Sequence, residues 1–227
     1  MLDLWTALIP LMVASAVLPV PITVTILLLR ADAGRITAVA WVGGLAAVRL
    51  AQGIVFGLVL DRAATTDGGG ADGPGPIAST LLLVVAIAFL ASAAAKLLRQ
   101  PDEDAPPPAW MAKATAVSPA RAFVLGAALT GINLKLWAFT LGAIGVIAEA
   151  DLGQAAATGA YLVFVAGALA VHLAAVGVAY LAPVRADALL GRVAAGLERH
   201  NRTIMIGLGL VFGTWFLLKA LDGLGVL

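Results

Sequence analysis

The chain has 227 residues, 62% of them hydrophobic and 12% charged, with a net charge of +1. A soluble domain would be about 45–50% apolar and about 25% charged, so this composition excludes an ordinary soluble enzyme and marks an integral membrane protein. The near-neutral charge gives no footing for nucleic-acid binding, and the lack of cysteine removes disulfides, thiolate metal sites and thiol redox relays.

A spanning helix needs about 20 mostly apolar residues. Six such runs follow one another, at 4–29, 36–60, 77–98, 122–148, 155–182 and 203–221. They lack the alternation over roughly ten residues that a barrel strand would show. The expected fold is therefore an all-α integral membrane protein with six transmembrane helices.

The first run begins behind Asp3 instead of a basic segment and stays apolar past a signal peptide's length, so it reads as a retained span. Leu18-Pro19-Val20-Pro21 interrupts it: each proline removes a backbone donor, and the freed carbonyls must face protein or a cavity. The second run carries Arg49 near its centre, with Gln52 three residues on and on the same helical face. Residues 65–76 are glycine-rich but lack the Gly-Lys-Ser/Thr ending of a phosphate loop, and read as a flexible linker.

After the third run, residues 101–108 (PDEDAPPP) form an acidic, proline-rich, extended segment. It divides the chain into a first half at 1–100, a linker at 101–121 and a second half at 122–227. The fourth run holds Gly131-Ile132-Asn133-Leu134-Lys135, where glycine weakens the helix and asparagine can bond to backbone. The fifth carries His172. In 184–200, Leu189, Leu190, Val193 and Leu197 share one helical face, while Arg185, Arg192 and Arg199 fall largely elsewhere. That pattern predicts an interfacial amphipathic helix ahead of the sixth span.

Basic residues crowd the first, third and fifth loops, whereas the opposite side carries Arg62 and Lys219. Basic loops stay in the cytoplasm, so both termini are predicted outside a bacterial plasma membrane. With three spans per half, the second half enters from the opposite side. A 3+3 inverted repeat follows, with the first helix of each half interrupted at Pro19, Pro21 and at Gly131. Glycine pairs Gly53/Gly57 and Gly209/Gly213 have the spacing of close helix contacts, expected within one chain rather than as a dimer seam.

No Asp or Glu lies inside any of these spans, yet Arg49 and Lys135 lie near the middle of theirs. A charge at that depth needs a partner, a cavity or water, and two cations without a carboxylate imply that the anion arrives with the substrate. A guanidinium suits phosphate, sulfate or carboxylate through its two-pronged fork. Arg49, Lys135, Asn133, Gln52 and His172 are thus the candidate substrate-binding residues. Pro19, Pro21 and Gly131 are candidate hinges, and His172 could couple flux to protons. One membrane histidine without cysteine or carboxylate is too few ligands for a metal, no hydrolase motif is present, and no cofactor is expected.

The run Leu197-Glu198-Arg199-His200-Asn201-Arg202-Thr203-Ile204-Met205, followed by Gly213 and Lys219, resembles the closing signature of the glycopeptidolipid- and sulfolipid-addressing (GAP/Sap) family of the LysE exporter superfamily. Trp41-Val42-Gly43-Gly44 and Ala122-Phe123-Val124-Leu125-Gly126 are similar to the same family. Two positions depart from it. Leu134 stands where the family usually has proline, a change expected to soften the helix break, and Leu18 stands where an Asp often precedes the first-span proline. The second departure removes a membrane carboxylate and argues against a cationic substrate.

The resemblance implies export of a glycolipid or similar amphiphile, or assistance in that export. The residues imply an anionic group held at mid-membrane. Two rivals remain at this stage. One is a LysE-type exporter of small solutes such as amino acids. The other is a non-transporting scaffold for lipid synthesis or export machinery. Expected partners are an anionic lipid or amphiphilic substrate and the membrane lipids, with a homodimer or a lipid-synthesis partner possible.

Overall fold

The computed structural model describes residues 2–31, 34–66, 76–98 and 117–226, and among these the secondary structure is helical throughout. The elements are α1 (Leu2–Ala16), α2 (Pro19–Leu29), α3 (Gly34–Thr66), α4 (Pro76–Leu98), α5 (Pro119–Ile132), α6 (Leu134–Glu149), α7 (Gln154–Ala168), α8 (Ala170–Leu181) and α9 (Pro183–Gly223). Most of the glycine-rich 65–76 and of the 101–121 linker lies outside the described residues.

The membrane class holds. α3 over Gly34–Gly57 and the whole of α9 are each long and apolar enough to cross a bilayer alone. Three more runs pass that test as bent pairs: α1 with α2 at 51°, α5 with α6 at 69°, and α7 with α8 at 58°. Counting each pair as one crossing gives up to five, and the apolar stretch described in α4, Leu82–Leu98, is shorter.

Two of the bends have a local cause. Leu18 precedes a proline and is extended (φ −60°, ψ 118°), so α1 stops before it and Pro19 opens α2 at a position needing no donor. The prolines thus begin the second piece of the span. At the other break, Asn133 is extended (φ −84°, ψ 104°), and its side chain accepts from the Lys135 backbone N–H at 3.1 Å, capping α6. The freed Gly131 carbonyl accepts from Trp137 Nε1 at 2.7 Å. Leu134 does not soften this break, which is the sharpest of the three, because the asparagine cap and the indole satisfy the backbone without proline.

The third bend, at Leu169, has no proline and was not foreseen. Nearby Gly167 gives way to Met12 of α1, against which an added Cβ would collide. The separate interfacial helix expected at 184–200 is corrected as well. That segment is helical, but it continues into the last apolar run as one 41-residue helix, about 60 Å long. Nothing in the 200–203 stretch breaks a helix, and Arg202 donates to the Lys96 and Leu97 carbonyls of α4 from within it.

Small residues set the packing. α3 crosses α5 closely enough that a Cβ on Gly44 would meet the Phe123 carbonyl and one on Gly126 the Trp41 carbonyl. α9 packs along α4 through Gly209 and Gly213, against Phe89, Leu90 and Ala93. Gly53 lies under the Tyr161 ring, whereas Gly57 meets nothing within 4 Å. Three of the four glycines singled out by spacing therefore serve contacts inside the chain.

α1 rests on α6 and α7. Edge-to-face rings join α4, α6 and α9, with Phe89–Phe139 at 5.6 Å and Phe139–Phe212 at 5.1 Å. A second, smaller core of Ile22, Ile26, Ala175, Ala179, Ala186 and Leu190 joins α2, α8 and the first part of α9.

Candidate functional site

Arg49 is 2% exposed, midway along α3. Its guanidinium reaches both neighbouring broken spans: Nη2 donates to Ser15 Oγ of α1 at 2.6 Å, and Nη1 donates to Thr140 Oγ1 of α6 at 3.4 Å. Thr140 spends its own proton on the Leu136 carbonyl at 3.0 Å, so it can only accept from the arginine. From α7, the Tyr161 hydroxyl donates to the Arg49 carbonyl at 2.6 Å. Four helices thus converge on this one residue.

No carboxylate among the described residues pairs with Arg49. Its Nε has no partner there, nor do Nε2 and Oε1 of Gln52, which is 5% exposed and one turn further on the same face. A buried cation held by two neutral hydroxyls and left with a free N–H is an incomplete arrangement, since burying charge is costly unless paired. An anionic oxygen is the group that completes it.

Lys135 sits elsewhere. It is half-buried on α6, its Nζ donates to Ser92 Oγ of α4 at 3.0 Å, and it lies over the Phe89 ring at 5.9 Å. Asn133 is engaged as the helix cap beside it. Arg49 and Lys135 share no hydrogen-bond partner. Arg49 and Gln52 therefore share one face of α3, Asn133 caps the helix beside Lys135, and Arg49 and Lys135 bond to different neighbours.

His172, 3% exposed in α8, belongs to a third cluster at the start of α2. Thr25 Oγ1 donates to the Pro21 carbonyl at 2.9 Å, accepts from Trp41 Nε1 at 3.1 Å and lies 2.8 Å from His172 Nδ1. All three contacts are satisfied together only when the histidine carries its hydrogen on Nδ1. Of the expected hinges, Pro21 supplies that carbonyl. Gly131 has ordinary backbone angles and open space where a Cβ would sit, so nothing steric requires glycine there.

Ser15, Thr25, Thr140 and Tyr161 were not singled out from the sequence. Each is a lone hydroxyl in an apolar run, a common and unremarked pattern. The signal that could have found them is depth, because a mid-span arginine must find donors' complements at its own level. Two open surface grooves, one lined by Val117, Arg121 and Leu125 among others and one by Thr6, Pro10 and Trp215 among others, include none of these residues.

The fold and its centre define an all-helical membrane protein assembled around a buried arginine with no carboxylate partner among the described residues. The family model described as Sap, sulfolipid-1-addressing protein, matches residues 8–222, and the chain belongs to that family. No curated protein and no solved structure matches the chain.

Proposed function

We propose that this protein is a six-span exporter of an anionic lipid, glycolipid or amphiphilic metabolite, its head group held at mid-membrane by Arg49. The observation that carries the reading is the Arg49 guanidinium: buried, bonded to two neutral hydroxyls, and, among the described residues, with its Nε unpartnered and no carboxylate on it. The family supports a role in lipid export or localisation. Lys135 is the second cation, met on the α4 side of α6 at another stage of passage. His172, which contacts Thr25 near the α2 break, is the candidate for proton coupling in this reading. Orientation follows the basic loops, with both termini outside.

The sixth crossing is α4, whose 23 residues span about 34 Å. The inverted-repeat reading draws support from packing. Exchanging the halves turns the contact of α3 with the α5–α6 span into that of the α7–α8 span with the α1–α2 span, and carries the α4–α9 contact onto itself. All three contacts occur, and the first span of each half is broken. Broken helices at matching positions mark midplane binding sites in transporters of this architecture.

One observation also favours a LysE-type solute exporter: the free Gln52 Oε1 could accept from the ammonium of an amino acid whose carboxylate sat on Arg49. The deciding experiment is native mass spectrometry of gently extracted protein beside Arg49→Met, followed by efflux of the retained compound from loaded vesicles. An anionic lipid retained by the wild type and lost from the variant supports lipid export. Equal retention by both removes Arg49 from the mechanism. Arg49-dependent efflux of a labelled amino acid moves the assignment to the solute exporter.

A further inference from the structure

We infer that Gln52 is a specificity-determining residue that requires a hydrogen-bond donor next to the substrate's anionic group. The inference rests on the reading of Arg49 as the anion site and deepens it. Among the described residues the unpartnered buried side-chain atoms are of two kinds. Arg49 Nε and Gln52 Nε2 are donors, but Gln52 Oε1 is an acceptor. A fully ionised sulfate, phosphodiester or carboxylate offers acceptors alone. Such a group could bond both donors and would still leave the Gln52 carbonyl oxygen unpaired, and it would sit against that oxygen's negative end.

A ligand that satisfies all three atoms carries an anionic oxygen for the two N–H groups and an O–H or N–H for Oε1. Sugar and polyol head groups meet that requirement when a hydroxyl flanks the charged group. Rotating the amide exchanges its ends without changing the demand, because one end always accepts. Removing a donor from such a ligand strands a buried polar atom, and discrimination by that route is stronger than discrimination by size. The same chemistry could come from a lipid head group or from a free zwitterion, and the two sources are separable.

The test compares two lipids of equal charge and acyl chains, phosphatidylglycerol and phosphatidylmethanol, titrated onto the full-length protein in detergent and read by native mass spectrometry. Both are phosphodiester monoanions, and the first alone bears hydroxyls. The expected result is about tenfold tighter retention of phosphatidylglycerol by the wild type. In Gln52→Met that ratio falls to about one, because the near-isosteric thioether asks for no donor. Gln52→Glu, which adds a negative charge beside the site, loses both lipids.

A wild-type ratio near one, or a preference that survives Gln52→Met, overturns the inference. The wild-type comparison needs no variant, so it stands even if a substitution impairs folding. If both lipids depend on Arg49 without a preference, the inference about Gln52 fails by itself. If neither depends on Arg49, the anion site fails and takes the inference with it. Displacement of phosphatidylglycerol by millimolar L-alanine, lost in Gln52→Met, supports the role of Gln52 while assigning the site to a free zwitterion.

Discussion

Tyr161 grips Arg49 by its main chain: the phenol donates to the arginine carbonyl at 2.6 Å while its ring covers Gly53. Two consecutive turns of α3 are thereby fixed against α7, while the guanidinium bonds to Ser15 and Thr140. Replacing Tyr161 with phenylalanine keeps the ring and removes the bond. The expected cost is about 1 kcal/mol, seen as a lower thermal midpoint in detergent. Gly53→Ala should cost about 1–3 kcal/mol, because the new methyl would displace the ring.

Arg49→Met should separate stability from function. A buried charge lacking a countercharge is a burden on folding, and apolar replacement of similar volume is often neutral or stabilising. The variant is expected to melt no lower than the wild type and to lose retained anionic lipid. Thermal unfolding and lipid content measured on the same preparation check both halves of that statement. A large drop in stability without loss of lipid would assign Arg49 to structure.

Thr25 is the shared partner of three groups, so Thr25→Val strands the Trp41 indole N–H and the His172 ring nitrogen together. Losing partners for two buried polar groups should cost about 2–4 kcal/mol, well above what a single surface hydroxyl contributes. Thr158→Val is the control, since its hydroxyl is exposed and bonds within its own helix to Gln154. Equal effects of the two variants would mean that the cluster around α2 is slack.

Two glycines separate packing from hinging. Gly126→Ala drives a methyl into the Trp41 carbonyl and should cost about 1–3 kcal/mol. Gly131→Ala meets open space and should stabilise by about 0.5–1 kcal/mol through helix propensity. If bending at Gly131 serves passage, transport in vesicles falls in this variant while its melting temperature rises.

The spans were readable because their signal is collective: twenty apolar residues outweigh any one exception. Two of the bends were readable as well, since proline and asparagine act through the local backbone. The bend at Leu169 was not, because neither a proline nor a side-chain cap marks it; what the structure shows beside it is Gly167 packed against Met12 of α1. The continuity of α9 was not legible because a change in polarity, from basic 184–200 to apolar 203–221, resembles a change of element, although no glycine or proline interrupts residues 197–206.

At the site, Arg49 and Gln52 were legible from charge, depth and spacing. Their partners come from α1, α6 and α7, and no one-dimensional pattern records which hydroxyl ends at an arginine's depth. Lys135 and Arg49 looked alike in sequence. Rotation about their helix axes sends one toward Ser92 and the other toward Ser15.

The long final helix is tied down near both of its ends. Asp187 holds Arg30 beyond α2 at 2.7 Å, and Lys219 holds Glu149 at the close of α6 at 2.7 Å. Both pairs are partly exposed, so each holds with about 0–1 kcal/mol and releases readily. The firmer hold lies between them, where Gly209 and Gly213 seat against Phe89, Leu90 and Ala93 of α4 and Arg202 bonds to two α4 carbonyls. Opening either clasp therefore frees one end of the rod and leaves its middle docked.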